Sequence, residues 1–177
     1  MDIFVGIDPS SKTGIAIING NGVTLRTGEI TSELEGPGQM REIIDRTMAV
    51  IAEHGTPTGV CIEGFAFGAK GKAVDWQYGI GWGLRVALYD RGIAYKEVAP
   101  NQLKKFASGN HQEKKENLIL PIYRHWGFEH GSDNVRDAYV LAQIARGLGE
   151  ELELTQYQRD VLNALQGKQI ARRKKKQ

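Results

Sequence analysis

The sequence has one cysteine in 177 residues, so Cys61 has no partner for an internal disulfide. No segment approaches the roughly 20 consecutive apolar residues of a membrane helix. No basic stretch followed by an apolar run opens the chain, so no signal peptide is expected. Together these absences predict a reducing, cytoplasmic compartment and no membrane partner. The four histidines, His54, His111, His125 and His130, show no ligand spacing and are expected to be surface or packing residues. No internal repeat and no long linker divides the chain.

What the chain does hold is 41% hydrophobic residues, enough for one domain to bury a core without disulfide or metal staples. The expected division is one folded domain over residues 1–150, then a short helix and a basic, disordered tail over 151–177. Charge supports that division. Six positive side chains, Lys168, Arg172, Arg173, Lys174, Lys175 and Lys176, fall in the last ten residues, and without them the formal +2 becomes −4. A run of that kind suits a polyanion such as nucleic acid, although it also suits a solvated tail.

Three short β-type runs, 3–8, 14–18 and 23–30, are separated by the turn residues Pro9–Gly14 and by Asn19-Gly20-Asn21-Gly22. They predict an antiparallel meander. Helical spacing follows from Gln39 to His54, then a strand Gly59–Glu63, a helix from about Ala73 to Arg91 and a strand Ile93–Val98. Gly79, Gly81 and Gly83 oppose that second helix by up to about 1 kcal/mol each. Close approach of another helix, such as one from a second subunit, would explain them, as would a glycine-lined passage for backbone. Further helices are expected from Pro100 through Phe106, over Glu113–Trp126 with an interruption near Pro121, over Ser132–Leu148 and over Thr155–Leu165. This order predicts an α/β fold, a five-stranded mixed sheet of three antiparallel strands then two parallel ones, flanked by helices. Right-handed crossover places the fourth strand beside the first, so Asp8 and Glu63 stand at neighbouring strand ends.

A third acidic feature opens the helix at Ser132-Asp133-Asn134-Val135-Arg136-Asp137, where Asp133 and Asp137 share one face. Asp133 also suits an N-terminal cap. Carboxylates gathered at one sheet edge repel one another and have raised pKa values unless a cation shares them. Oxygen ligands without His or Cys select Mg²⁺, with Mn²⁺ able to substitute, over zinc. Two such ions can activate water and stabilise the leaving oxygen of a phosphodiester.

The residues Gly6-Ile7-Asp8-Pro9-Ser10-Ser11-Lys12-Thr13-Gly14, Ile62-Glu63, Leu103-Lys104-Lys105-Phe106, Glu113-Lys114-Lys115 and Asp133-Asn134-Val135-Arg136-Asp137-Ala138 occur in an order that resembles the RuvC-type Holliday-junction resolvases. The likeness spans about residues 3–147, and the stretch from Glu63 to Gly71 looks especially like the phage-borne branch. It implies an RNase H-like fold and a homodimer that nicks opposing strands of a four-way DNA junction, in a bacterial or phage-infected cell. It implies Asp8, Glu63 and Asp137 as metal-binding acids, two ions per site. Family members usually have the remaining acid three residues before the last one, where this chain has Asn134; Asp133, one position away on the same face, is assigned that role, with Asn134 as the alternative ligand. Lys104 and Lys114 match the lysines near the scissile phosphate, and the adjoining Lys105 and Lys115 could exchange with them.

Phe65, Phe67, Lys70, Lys72 and Trp76 mix aromatic and basic character, suited to stacking on an unpaired base and holding phosphates, or to packing. Lys105, Lys115 and the tail residues Arg172, Arg173, Lys174, Lys175 and Lys176 complete the expected DNA contacts. The rival readings are a nuclease for flaps, forks or RNA–DNA hybrids, and a non-catalytic DNA-binding module. A fragment of a sugar-kinase-like or actin-like ATPase would need a second lobe for which the chain has no room.

Overall fold

The computed structural model describes residues 1–65 and 74–167. Five strands form one sheet: β1 (Ile3–Asp8), β2 (Thr13–Asn19), β3 (Thr24–Ile30), β4 (Gly59–Glu63) and β5 (Lys96–Val98), in the order β3-β2-β1-β4-β5. β1, β2 and β3 pair antiparallel, whereas β4 joins β1, and β5 joins β4, in parallel. The helices are α1 (Gly36–Ala52), α2 (Val74–Asp90), α3 (Pro100–Ser108), α4 (Ile119–Trp126), α5 (Asp133–Gly149) and α6 (Gln156–Leu165), with a 3₁₀ turn at Lys115–Leu118. Among the described residues, no helix is long and apolar enough to cross a membrane.

β1 is buried along its whole length because the sheet is covered on both faces. The two-residue period of a strand sorts its side chains. Ile3, Val5, Ile7, Ile15, Ile17, Val60 and Ile62 pack with α1 and α2, while Phe4, Ala16, Ile18 and Cys61 pack with α3 to α6. Each fully buried isoleucine contributes about 1.5–3 kcal/mol relative to an exposed one. By the same alternation Gly6, Asp8 and Glu63 belong to the α5 face. Val161 and Leu162 of α6 join this second cluster, so the helix beyond residue 150 shares the core of the helices before it.

Several local expectations shift. α1 starts at Gly36 rather than Gln39, because Pro37 suits the first turn. β5 is half the expected length: the Ile93 N–H bonds to the Leu88 carbonyl, which ties that residue to the end of α2. Pro121 does not interrupt a helix. It sits in the first turn of α4, where its missing N–H needs no partner, and the break falls earlier, at Leu118.

The glycines of α2 are explained within one chain rather than by a second subunit. A Cβ at Gly79 would lie 2.5 Å from Met40 Cε, and one at Gly83 would lie 2.3 Å from Ile44 Cδ1, both on α1. At Gly81 it would lie 2.6 Å from Phe65 Cε1.

Candidate active site

Two glycines bring α5 onto the sheet. A Cβ at Gly6 would lie 1.9 Å from the Ala138 carbonyl oxygen, and one at Gly14 would lie 2.1 Å from that of Asn134. Gly14 is the register partner of Asp8. The first turn of α5 therefore lies against the strand end that carries Asp8, and Asp137, one turn on, faces it. Ile7 pairs with Ile62 in the parallel ladder, so Asp8 and Glu63 are the next residues along adjacent strands.

Ser132, not Asp133, caps α5: its Oγ accepts from the Val135 N–H at 3.3 Å and donates to Glu29 on β3. Asn134 donates through Nδ2 to the Lys12 carbonyl at 2.9 Å, which ties α5 to the β1–β2 turn. That leaves Asp133 on the side of Asp137.

Asp8 and Asp137 are each only 3% exposed, and Glu63 is partly buried. Burial, then Glu63, then Asp137 push the Asp8 carboxyl well above the usual range, with Lys115 opposing them. Glu63 is raised by burial, although a hydrogen bond with Asp8 works the other way. Asp137 is raised by burial against the pull of Lys115. At Asp133 slight burial is outweighed by Lys115 and by backbone N–H groups, which hold its carboxyl low.

Among the described residues, the cation ion-paired to this cluster is Lys115. Its Nζ lies 2.8 Å from Asp137 Oδ2 and 3.4 Å from Asp133 Oδ2. Burial alone would lower the Lys115 pKa, but Asp137, Asp8 and Glu63 together raise it. Lys114 precedes the 3₁₀ turn in extended conformation and is exposed. Lys104, on α3, acts electrostatically on Glu63. Lys105 faces the other way, 3.8 Å from Asp160 on α6.

The remaining expected contacts divide. The Phe65 ring packs edge-on to Tyr78 at 5.0 Å and lies 5.5 Å from Trp82, so it is committed to α2. Trp76 packs into the α1–α2 core. Phe67, Lys70, Lys72, Arg172, Arg173, Lys174, Lys175 and Lys176 lie outside the described residues. Sequence reasoning missed Arg85, which is 2% exposed and bonds to the Glu63 carbonyl at 3.0 Å. The available signal was a lone basic residue amid the apolar and glycine positions of α2.

Among the described residues, no three His, Cys, Asp or Glu side chains already converge in metal-ligand geometry, and Asp137 is turned onto Lys115. The donor chemistry nevertheless fits a hard divalent cation. Asp8 Oδ2 is buried with no hydrogen-bond partner. Its neighbour in reach, Glu63, is another carboxyl and supplies no donor when ionised. An all-oxygen set with raised pKa values is the environment that such an ion relieves.

A twisted sheet of this order, with acids at the ends of β1 and β4 and on a helix packed across them, is an RNase H-like nuclease fold. The family model of crossover junction endodeoxyribonuclease RuvC matches residues 4–126, and the chain belongs to that family. The fold is similar to RuvC of Thermus thermophilus in complex with Holliday junction substrate (TM-score 0.67, 20% identity, 80% of this chain and 91% of that one). A second T. thermophilus RuvC structure gives a TM-score of 0.62 at 21% identity, over 79% of this chain and 90% of the other. The yeast mitochondrial Holliday junction resolvase Ydc2 is similar at a TM-score of 0.57 and 11% identity, over 92% of this chain and 84% of its own. No curated protein matches the chain by sequence.

Proposed function

We propose that the protein is a divalent-metal-dependent endonuclease that resolves four-way DNA junctions, cutting as a homodimer with one nick from each subunit. The observation that carries this reading is the placement of Asp8 and Glu63 at the ends of adjacent strands with Asp137 beside them on α5, where burial raises all three carboxyl pKa values. Asp8, Glu63 and Asp137, with Asp133 at the rim, would hold Mg²⁺ or Mn²⁺, two ions per site. When bound, such ions lower the pKa of an attacking water and stabilise the leaving oxygen of the phosphodiester.

The chain's own residues do the rest. Burial keeps bulk water from the Asp8 and Asp137 carboxyl groups. Lys104 and Lys115 are the lysines of their adjoining pairs that face the acids, so they are the ones suited to neutralise charge on a bound phosphate; Lys114 serves the DNA backbone further out. Phe67, Lys70, Lys72 and the C-terminal basic run supply branch-point and backbone contacts. Support for a homodimer comes from α2, which carries Trp82 (58% exposed), Val86 (55%) and Tyr89 (81%) along one stripe of its surface.

The test is Mg²⁺-dependent cleavage of labelled four-way, flap, duplex and hybrid substrates by native protein and by Asp8→Asn. Paired symmetrical nicks in the junction alone, absent in Asp8→Asn, are expected, with a sedimentation mass of two chains. Equal cleavage by the variant would sink the site assignment. Preference for the flap would favour the related nuclease reading.

A further inference from the structure

Arg85 is a fully desolvated guanidinium in the middle of α2, and its contacts converge on the end of β4. Nη2 donates to the Glu63 carbonyl at 3.0 Å, Nη1 to the Gly81 carbonyl at 2.9 Å, and Nε to Glu97 Oε1 at 2.5 Å. The face of the group lies 4.3 Å over the Phe65 ring. A side chain at Gly81 would lie 3.3 Å from Arg85 Nη1 as well as against Phe65, so the helix leaves that space open. Glu97, the only carboxylate within ion-pair distance of Arg85 among the described residues, is half-exposed.

The peptide joining Glu63 to Gly64 is thereby held at both ends. Its carbonyl accepts from Arg85, and its N–H, that of Gly64, donates to the Val98 carbonyl at 2.8 Å. Because the peptide is planar, holding both ends fixes the positions of the Glu63 carbonyl carbon and Cα, and together with the β4 backbone before them this fixes the direction of the Glu63 Cα–Cβ bond. The planar fork of an arginine can serve three acceptors and stack at once; a lysine ammonium cannot.

We propose that Arg85 is a positioning residue that aims the Glu63 carboxylate at the acid cluster by clamping the Glu63–Gly64 peptide. This rests on Glu63 being a metal-binding acid of the proposed nuclease.

The experiment uses the full chain with Arg85→Lys, Arg85→Met, Glu97→Gln and Glu63→Gln. Melting temperature, four-way-junction affinity in EDTA, calorimetric Mn²⁺ affinity and the single-turnover cleavage rate are measured for each. Arg85→Lys and Arg85→Met should keep junction affinity within about twofold, yet lose about tenfold or more in single-turnover rate and several-fold in Mn²⁺ affinity, the scale expected of a displaced ligand. A folded Arg85 variant with native rate and native Mn²⁺ affinity overturns the proposal, as does a rate loss recovered in full by assaying further below the melting temperature. Should both Arg85 variants fail to fold, Glu97→Gln decides from the exposed side: a smaller loss of the same pattern supports positioning, and native values overturn it. Glu63→Gln separates the two levels of inference. Full cleavage by that variant refutes the acid-cluster reading itself, whereas an inactive Glu63→Gln beside a native-like Arg85→Lys refutes only the role of Arg85.

Discussion

At Asp8, folding works against the carboxylate. Its pKa is raised well above the ordinary value by burial, Glu63 and Asp137, so the folded chain binds that proton more tightly than the unfolded chain does. Stability therefore falls as pH rises from the unfolded value through the raised folded one, and at neutral pH the ionised group is a net cost. Asp8→Asn should stabilise the metal-free protein by about 1–2 kcal/mol at pH 7, with the advantage fading toward pH 4, as read by thermal melts in EDTA. Lys115 is the internal counter-charge to Asp137 and Asp133. Lys115→Met should lower stability in EDTA by about 1 kcal/mol, discounted because the side chain is nearly half-exposed, and Mg²⁺ should restore more of the melting temperature than in native protein. Lys114→Met should do neither; equal effects would remove the distinction between the two lysines.

At the scale of elements, the site depends on how closely α5 approaches β1 and β2. Gly6 and Gly14 set that distance, since any Cβ there would strike helix backbone rather than a movable side chain. Gly6→Ala should cost about 3 kcal/mol in urea unfolding, because the 17-residue α5 has to shift or the sheet has to bend. Gly28→Ala, on β3 with nothing within 4 Å of its new Cβ, should change stability by no more than about 0.5 kcal/mol. The glycines of α2 instead face side chains, Met40 and Ile44 of α1 and Phe65. Their sequence signal, a helix interior costly in glycine, pointed correctly to close approach; only the tertiary structure shows that the partner is α1 of the same chain.

For the whole molecule, the charge is divided between a core that is net negative and a C-terminal run of six positive charges in ten residues. Removal of residues 168–177 should weaken junction binding and reduce the slope of log affinity against log salt by up to about 5, one counterion released per lysine or arginine engaged. Single-turnover cleavage at saturating DNA should stay close to native, because the acids all lie within residues 8–137. An unchanged salt slope would reduce the tail to a solvated appendage.

The strands and their order, the neighbouring ends at Asp8 and Glu63, and the acidic start of α5 could be read from sequence alone. Each follows from local periodicity, turn chemistry and the handedness of crossovers, which act over short stretches of chain. Assigning Lys115 instead of Lys114 to the acids required the tertiary structure, because a 3₁₀ turn decides which of two adjacent side chains faces inward. The same holds for Phe65 folded onto α2 and for Arg85 bound to the Glu63 carbonyl. All three depend on where one element lies against another. Long-range packing decides that direction, and residue type and spacing do not encode it.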